Sequence, residues 1–359
     1  MSSPAIVSIA THVPGERYSQ DEIFEQMHAL KLTGDPRARK VFEKAGVGYR
    51  HAIVNGDYFA ANPTTEARNA CYLSTAIPLG EETIRRCLDA AGCDPTEVDD
   101  LIIVSCTGID TPGLDLRLAG RLGMRPDLRR TGVLGMGCYA AFPGLLRARE
   151  AVRARQGGVA LVLTLELCSL HMQLDDSLEN MVSAALFADG AAAALIGDRD
   201  NGFRPQPTAN GALLKGPRLV DAATHCDYTT LEHMAFRLTD HGFQMRLSAY
   251  VPDLLAAQIS GFIDGLLARN GLSRGDVGFW GVHPGSGKIL DYVQEQLALA
   301  DEQMRYSREV LHDYGNMSSA TILFILDAIQ RQGQPQPGDY GMLMAFGPGL
   351  TMESMLVQW

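Results

Sequence analysis

The chain's best candidate for a nucleophile is Cys138, which lies between an apolar stretch and a predicted helix in LGMGCYAAFPGLL. Gly135 and Gly137 permit a tight turn and a close approach of backbone to substrate. A thiol at a helix N-terminus lies at the positive end of the helix dipole, which favours the thiolate. A thiolate in this setting can accept an acyl group. A buried cysteine beside glycine is also a common structural arrangement, so the assignment depends on partner residues.

Two further side chains are candidates for the same centre. His283 ends the apolar segment FWGVH and precedes Pro and Gly, so we expect it in a loop at the carboxyl end of a strand. Open α/β sheets bind ligands at this edge. Asn316 precedes a predicted helix in YGNMSS. The alternatives are a loop histidine without a catalytic role and an asparagine that only caps its helix.

An internal duplication brings these residues together. Segments of the two halves match in order: 90–106 with 268–283, 131–138 with 312–319, 159–167 with 340–349, and 190–197 with 351–359. In this alignment Asn316 corresponds to Cys138 and His283 to Cys106, so the strand ends of both halves meet at one centre. Chance similarity between ordinary βαβ units is the alternative.

The elements that carry these residues alternate between strands and helices, which predicts mostly parallel strands covered on both faces. We therefore predict an α/β fold in which two stacked halves, 1–210 and 211–359, form an α/β/α/β/α layered body with two mostly parallel mixed sheets. The first half carries the nucleophilic cysteine, and the second carries the histidine and the asparagine.

Composition excludes several classes of protein. The chain has 359 residues and a net charge of -11, which argues against nucleic-acid binding. Its seven cysteines form no C-x-x-C pair and no metal-ligand spacing, so we expect free thiols in a cytoplasmic protein. No apolar run approaches the roughly 18 residues of a membrane span. The longest candidate, which begins at Val159, is interrupted by Glu166.

Several motifs together resemble those of one enzyme family. GMGCYA, the VHPG loop, YGNMSSAT and FGPGLT occur in the order and near the spacing typical of type III (chalcone synthase-like) polyketide synthases of the thiolase superfamily. LFADGAAAALIG is similar to the family's LFGDGAAA segment, and ELCSL is similar to bacterial members. The resemblance covers nearly the whole chain and implies a homodimer with a duplicated thiolase-like fold.

The resemblance also implies roles for the candidate residues. A starter acyl-CoA acylates Cys138, which His283 keeps as a thiolate through an ion pair. His283 and Asn316 hold the thioester carbonyl of malonyl-CoA, and Phe187 corresponds to an aromatic gatekeeper between the CoA tunnel and the reaction cavity. Two N–H donors suit the enolate that decarboxylation leaves, whereas a carboxylate there would repel it. An apolar wall such as Phe187 would favour loss of CO2 by desolvating the malonyl carboxylate. No cofactor is expected.

Local cations are needed to bind the CoA phosphates. Arg37, Lys40 and Lys44 have the spacing of one helix face, and in the resemblance they correspond to CoA-binding residues. A solvated helix face is the alternative. The neighbouring Asp35 and Arg39 are interpreted as plain surface charges.

A second set of residues is expected to line the pocket and select the product. In the resemblance these are Cys106, Thr107, Thr111, Cys168, His171, Phe236, Met245, Ser318 and Pro348. A bulky Phe236 would shrink the elongation cavity and favour a shorter product or a non-aryl starter. In related plant enzymes, a methionine at the position of Thr111 reaches into the cavity of the partner subunit. Core packing is the alternative for the two cysteines.

We therefore predict an enzyme that loads an acyl-CoA on Cys138, extends it with malonyl-CoA, and releases a pyrone, resorcinol or phloroglucinol type of product. Its partners are a starter acyl-CoA, malonyl-CoA and a second copy of the chain. One alternative is a ketoacyl-carrier-protein synthase of the initiation type, and another is a non-catalytic ketosynthase-like subunit. A hydroxymethylglutaryl-CoA synthase would need a glutamate acid motif that we do not find. Thiolase would need a second cysteine near the carboxyl end, but none follows Cys226.

Overall fold

The computed structural model describes residues 3–155, 157–198, 216–247 and 251–359. The predicted boundary between the halves, at 210/211, lies outside these residues. The strands are β1 Pro4–His12, β2 Glu16–Ser19, β3 Tyr49–Ala52, β4 Asp100–Ser105, β5 Arg129–Leu134, β6 Val159–Leu167, β7 Asp189–Asp198, β8 Arg218–Cys226, β9 Met234–Thr239, β10 Gly242–Leu247, β11 Val277–Val282, β12 Tyr340–Gly347 and β13 Thr351–Gln358.

The helices are α1 Gln20–Ala29, α2 Ala38–Lys44, α3 Gly56–Ala60, α4 Thr65–Ala91, α5 Leu114–Leu122, α6 Ala141–Ala154, α7 Leu178–Leu186, α8 Val251–Arg269, α9 Gly287–Leu297, α10 Asp301–Tyr314 and α11 Thr321–Ala328. One-turn 3₁₀ helices at Gly137–Tyr139 and Ser318–Ala320 precede α6 and α11. None of the helices in the described ranges is long and apolar enough to cross a membrane.

Nine strands form a mixed sheet in the order β5-β4-β6-β7-β1-β8-β13-β12-β11. β4 pairs in parallel with β5 and β6, and β11 pairs in parallel with β12. The other five neighbouring pairs, from β6 across to β12, are antiparallel, so the described strands form one continuous mixed sheet where two mostly parallel sheets were expected. The two halves of the sheet are joined between β1 and β8 by a single register pair, Ala5 with Arg218.

The strand order confirms the predicted duplication. From the centre outward, the first half runs β1, β7, β6, β4 and the second half runs β8, β13, β12, β11. The matched segments are therefore equivalent strands, with β4 matching β11, β6 matching β12 and β7 matching β13. Among the described residues of the second half, no strand is equivalent to β5. Asn316 lies at that position in the sequence, and its backbone forms an isolated bridge with Phe187.

Alternating side chains separate the helical layers. In β4, Leu101 and Ile103 belong to the hydrophobic cluster that contains α4 and α5, whereas Ile102 and Val104 belong to the one that contains α6 and α11. In the second half, Leu343 of β12 packs in the cluster of α6 and α11. The neighbouring Met342 packs in a third cluster with α8 and α9.

The three clusters give the predicted α/β/α/β/α layering. Helices α6 and α11 form the middle layer, which both halves of the sheet cover. Residues 321–326 of α11 are all buried, as expected for a helix enclosed on every side. Because this layer is shared, the starts of α6 and α11 lie close to each other, and both candidate loops reach one centre.

Candidate active site

A tight turn after β5 presents the candidate nucleophile. Gly135 and Gly137 have φ angles of 71° and 74°, in the left-handed region that favours glycine. A Cβ on Gly137 would lie 2.8 Å from Cδ of Pro348, so a side chain there would also clash. Cys138 follows within the 3₁₀ turn and is only 8% exposed.

The turn of Cys138 rests on the end of β12. A Cβ on Gly347 would lie 2.7 Å from the Tyr139 ring and 3.5 Å from the Cys138 amide nitrogen. His283 follows the adjacent strand, β11, and its backbone N–H donates to the carbonyl of Met344 in β12 at 2.8 Å. The imidazole of His283 is fully buried, and neither ring nitrogen has a hydrogen-bond partner among the described residues.

Hydrogen bonds hold both the backbone N–H and the backbone carbonyl of Asn316. Its N–H donates to the Leu186 carbonyl at 2.8 Å, and its carbonyl accepts from the Ala188 N–H at 2.9 Å. The side-chain Oδ1 accepts from the Ser318 N–H at 2.8 Å, and the Asn316 amide acts on the Cys138 thiol by lowering its pKa. The asparagine therefore supports the turn before α11 and also reaches the nucleophile, so capping and site geometry are combined in one side chain.

The Ser318 side chain is a second group that lowers the pKa of the Cys138 thiol. Its φ angle of 48° is in the left-handed region, which is uncommon for a residue with a Cβ and is found preferentially at functional sites. Its Oγ also lies 3.5 Å from the Cys106 sulfur. The hydroxyl thus lies between the two thiols.

Burial favours the neutral forms of the two reactive groups. It raises the pKa of Cys138 to about 12, although hydrogen bonds from Ser318 and Asn316 act in the opposite direction. Burial lowers the pKa of His283 to about 3. These directions oppose the expectation that position at a helix N-terminus alone makes Cys138 a thiolate, since α6 begins only at Ala141. A thiolate at Cys138 needs another group to accept the proton.

Glu166 is a buried carboxylate that the sequence analysis noted only as the end of an apolar run. Its oxygens accept from the Cys106 N–H at 3.0 Å, the Thr107 hydroxyl at 2.9 Å and the Ser319 hydroxyl at 2.5 Å. Burial raises the pKa of this carboxyl. A fully buried charge requires such partners, so a single acid in the strand VALVLTLEL was the available signal for a site residue.

A cavity of about 700 Å³ opens beside the nucleophile. Gly137 and Tyr139, on either side of Cys138, line it. Its wall includes eight of the nine predicted pocket residues: Cys106, Thr107, Cys168, His171, Phe236, Met245, Ser318 and Pro348. Thr111 is absent from this wall and is exposed, because the loop after β4 turns outward there.

Two aromatic rings narrow the cavity. Phe187 ends α7, and its ring lies edge-on to Phe236 with centroids 6.2 Å apart. Phe236 pairs with Met245 across the β9–β10 hairpin, so both predicted positions reach the cavity from one element. Phe236 is 38% exposed and still contributes to the cavity wall beside Phe187.

Arg50 fixes the backbone that carries Phe187. Its guanidinium donates to the carbonyl of Phe187 at 3.0 Å, to that of Ala185 at 2.7 Å, and to that of Ala184. A cation at the C-terminus of α7 also complements the helix dipole. Burial lowers the pKa of Arg50 to about 9, so it stays charged at neutral pH.

His171 lines the cavity, but both of its ring nitrogens are occupied. Its Nε2 donates to the Thr107 carbonyl at 2.7 Å, and its Nδ1 accepts from the Phe243 N–H at 3.2 Å. Burial lowers the pKa of His171 to about 4, so the ring is neutral. His171 therefore joins the loop after β4 to strand β10 through hydrogen bonds.

The predicted CoA-binding residues lie at helix α2. Arg37, just before the helix, forms a two-pronged ion pair with Asp35, with Nη2–Oδ2 at 2.6 Å and Nε–Oδ1 at 3.0 Å. This pair lowers the pKa of Asp35 to about 2, so Asp35 is not the plain surface charge expected from the sequence. Lys40 and Lys44 are exposed. Neither has an ion pair within the described ranges.

The start of α9 lies against the end of α2. The Gly287 N–H donates to the Ala45 carbonyl at 3.2 Å. This contact brings Lys288, the next residue, to the same corner as Lys44. The sequence analysis did not select Lys288, since its proximity to α2 depends on a contact between distant segments.

Comparison with known proteins identifies relatives along most of the chain. Residues 55–200 match the family model described as "Chalcone and stilbene synthases, N-terminal domain", and residues 219–359 match the corresponding C-terminal domain. A 1,3,6,8-tetrahydroxynaphthalene synthase of Streptomyces peucetius subsp. caesius is 36% identical over 359 residues, covering 99% of this chain and 93% of the relative. A 3,5-dihydroxyphenylacetyl-CoA synthase of Streptomyces toyocaensis is 32% identical, with coverage of 99% and 90%.

Solved structures agree with this similarity. The crystal structure of 1,3,6,8-tetrahydroxynaphthalene synthase from Streptomyces coelicolor A3(2), described as a bacterial type III polyketide synthase, matches with a TM-score of 0.90 at 28% identity and covers 99% of each chain. PKS-I of the brown alga Ectocarpus siliculosus matches with a TM-score of 0.89 at 29% identity, covering 100% of this chain and 98% of its own.

Proposed function

Because the chain belongs to the chalcone and stilbene synthase family and is a type III polyketide synthase, we propose that Cys138, His283 and Asn316 carry out its condensation chemistry. The observation that carries this proposal is the buried Cys138 thiol, whose pKa the Asn316 side chain lowers and whose neighbours Gly137 and Tyr139 line a 700 Å³ cavity. His283 is fully buried, neither of its ring nitrogens has a hydrogen-bond partner in the described part of the chain, and its imidazole would accept the proton of the thiol.

The first step is loading of the starter. The Cys138 sulfur attacks the thioester carbonyl carbon of an acyl-CoA while its proton passes to His283. The new carbon–sulfur bond forms, the bond to the CoA sulfur breaks, and CoA leaves with the proton. Transfer within the pair keeps the net charge at zero, which is the less costly route because burial opposes each charge alone.

The second step is decarboxylative condensation. Malonyl-CoA binds with its thioester oxygen facing the N–H groups of His283 and Asn316, and loss of CO2 leaves an enolate on that oxygen. Preorganised donors are most effective at such a developing charge in a site without water. The enolate carbon then attacks the acyl group on Cys138. A carbon–carbon bond forms, and Cys138 leaves as the thiolate.

Phe187 would desolvate the malonyl carboxylate, and the bridge between its backbone and that of Asn316 supports this role. The CoA phosphates would bind Lys40 and Lys44, with Lys288 nearby and Arg37 partly neutralised by Asp35. Repeated extension followed by cyclisation or lactonisation would take place in the cavity, whose volume is within the range of small-molecule sites.

The active form would be a homodimer. The outer edge of β5 is unpaired within the sheet, and Leu134 at its end is 51% exposed. Ile109 in the adjacent loop is 62% exposed, yet both side chains line the cavity. A second copy packed on this edge would cover both residues and close that side of the cavity. Exposed Thr111 would then lie at the interface.

The proposal is tested by incubating the protein with malonyl-CoA and a panel of acyl-CoA starters, with mass analysis of the products. Cys138→Ala should abolish both the acyl-enzyme and the product, whereas Cys71→Ala, which removes an α4 thiol outside the cavity, should retain them. Product formation by Cys138→Ala would refute the mechanism. Use of malonate only when bound to a carrier protein would favour the fatty-acid initiation enzyme instead.

His283 has a separate readout in the absence of malonyl-CoA. If the imidazole accepts the thiol proton, His283→Gln should slow the alkylation of Cys138 by iodoacetamide at neutral pH by about tenfold or more. The rate is measured on the Cys138 peptide by mass spectrometry. An unchanged alkylation rate in a folded His283→Gln protein would exclude this role.

A further inference from the structure

One face of helix α7 lines the cavity over its whole length. Asn180, Ser183, Ala184 and Phe187 all contribute to the wall, with the i, i+3, i+4 and i+7 spacing of a single helix face. The seven residue steps from Asn180 to Phe187 correspond to about 10 Å along the helix axis at 1.5 Å per residue. The cavity therefore extends two helical turns beyond the gatekeeper.

The walls around this branch are mainly apolar. They include Ile23, Met27, Leu30, Val54, Phe59 and Met172, which lie in α1 and at its end, after β3, in α3 and after β6. Two polar groups near them are already engaged. The Gln26 Oε1 accepts from the Gly56 N–H at 2.9 Å, and the Ser183 hydroxyl donates to the Glu179 carbonyl at 2.9 Å.

Asn180 differs from these groups. The residue is only 3% exposed, and its side-chain Nδ2 has no hydrogen-bond partner among the residues that the structure describes. Its place in the helix is fixed by its backbone, whose N–H donates to the Ser177 hydroxyl at 3.3 Å. A buried donor without a partner is costly, so such groups in native proteins call for a ligand or another explanation.

We propose that Asn180 is a specificity-determining residue that hydrogen-bonds an oxygen of the bound acyl chain, two helical turns from the gatekeeper. The branch then selects chains that carry a carbonyl or hydroxyl at this depth over plain aliphatic chains of equal length. Chains assembled from malonyl units meet this condition because they carry a carbonyl at every second carbon. The proposal rests on the condensing function proposed above and adds the class of chain that it accommodates.

Comparison with a plain alkyl chain supports the proposal that the branch binds a chain carrying oxygen. A plain alkyl chain would fill the apolar branch but would leave the amide of Asn180 unpaired in a dry environment. Sites built to hydrogen-bond an oxygen reject the analogue that lacks it more strongly than apolar pockets reject an added group. The preference should therefore depend on where the oxygen lies along the chain.

The test compares decanoyl-CoA with its 3-, 5-, 7- and 9-oxo derivatives as starters. In the wild type, one distal oxo position should raise kcat/KM by at least about tenfold over decanoyl-CoA. Asn180→Leu should reduce this preference to less than about twofold, and Asn180→Asp, which keeps the shape but removes the amide donor, should do the same. Ser183→Ala, which changes the same wall without removing a free donor, should retain the preference.

The outcomes separate this inference from the proposed function. Equal use of oxo and plain chains by the wild type, or a preference unchanged in Asn180→Leu and Asn180→Asp, would overturn the role of Asn180 while condensation persists. Failure of the wild type to condense malonyl-CoA with any starter would instead refute the proposed function. The products of malonyl-CoA alone give a second readout, because both variants should release shorter chains than the wild type.

Discussion

At the scale of single residues, Glu166 connects three segments that meet beside the nucleophile. Its carboxylate accepts hydrogen bonds from Cys106 and Thr107 after β4 and from Ser319 before α11. Cys106 and Ser319 belong to different halves of the chain, so this one side chain joins them. Glu166 therefore stabilises the fold and positions the segments beside Cys138. Two substitutions measure how much of the stability comes from its hydrogen bonds.

Glu166→Leu should lower the free energy of unfolding by about 3 kcal/mol or more, because three buried donors lose their acceptor. Glu166→Gln should change it by less than about 1 kcal/mol, since the amide oxygen still accepts and no charge is buried. Denaturant titration of both variants checks this prediction. Equal losses in the two variants would contradict it.

The contribution of Glu166 to stability should depend on pH, and the direction follows from its pKa. Burial raises the pKa of Glu166 above its value in the unfolded chain, so the folded protein holds the proton more tightly. Its contribution to stability therefore falls as pH rises from the unfolded pKa through the folded one. Glu166→Gln should remove this part of the pH dependence.

The sequence identified Cys138, His283 and Asn316 because each follows a strand or precedes a helix within a recognisable motif. It did not identify Glu166, Arg50 or Asn180 as site residues. The partners of Glu166 lie 60 and 153 residues away, and those of Arg50 lie about 135 residues away. Whether a polar side chain at such a position has a partner depends on the packed structure, which local spacing does not specify.

At the scale of single elements, helix α2 carries two lysines, Lys40 and Lys44, that form no ion pair within the described ranges. The neighbouring Arg37 and Arg39 are each paired with an aspartate. We expect Lys40→Ala combined with Lys44→Ala to raise KM for malonyl-CoA by about five- to tenfold while kcat stays within about twofold, since the phosphates bind away from the reacting atoms. The matched control is Arg39→Ala, because Arg39 already pairs with Asp21 at 3.0 Å. Equal effects of the lysine and arginine changes would argue against a CoA site here.

Helix α7 depends on Arg50 for the position of its C-terminus. Arg50→Met should lower the free energy of unfolding by about 2–4 kcal/mol, because it leaves several buried carbonyls without a donor. It should also change the distribution of product lengths, since Phe187 loses its support. The control Arg149→Met removes a buried arginine that donates to the Val220 carbonyl. That control should cost stability but keep the product distribution, as measured by denaturation and by mass analysis.

The sequence predicted the major elements better than their ends. The helices predicted to follow Cys138 and Asn316 begin only at Ala141 and Thr321, each after a 3₁₀ turn. The β9–β10 hairpin was not predicted, although it carries both Phe236 and Met245 to the cavity. Its strands are short and partly exposed, so no strong apolar period distinguished them from a loop.

At the scale of the whole molecule, the exposed edge at β5 predicts a dimer. Light scattering during size-exclusion chromatography should give about twice 38.9 kDa for the wild type. Leu134→Asp should shift the protein toward the monomer and reduce activity, because it places a charge on the apolar edge. Tyr228→Asp, which alters a side chain that is 79% exposed and outside the cavity wall, should leave the dimer intact. A wild-type monomer with full activity would contradict the proposed assembly.

The layered architecture was predictable because buried strands and amphipathic helices recur in the same order in both halves. The junction between the two halves of the sheet was not predictable from the sequence. It rests on the pair Ala5 and Arg218 and on a backbone hydrogen bond from Ile6 to Pro217. These contacts join segments more than 200 residues apart, and no sequence pattern in either segment specifies the other.

The position of β1 at the centre of the sheet affects how the protein is made. This strand is synthesised before the other described strands, and its neighbours β7 and β8 begin only at residues 189 and 218. At about 5–20 residues per second, the ribosome needs roughly ten to forty seconds to deliver β7 after β1 has emerged. During that time the apolar segment Pro4–Ala10 has both of its edges unpaired. Nascent chains should therefore be most prone to aggregate, and to require a holding chaperone, until the segment that follows α7 leaves the ribosome.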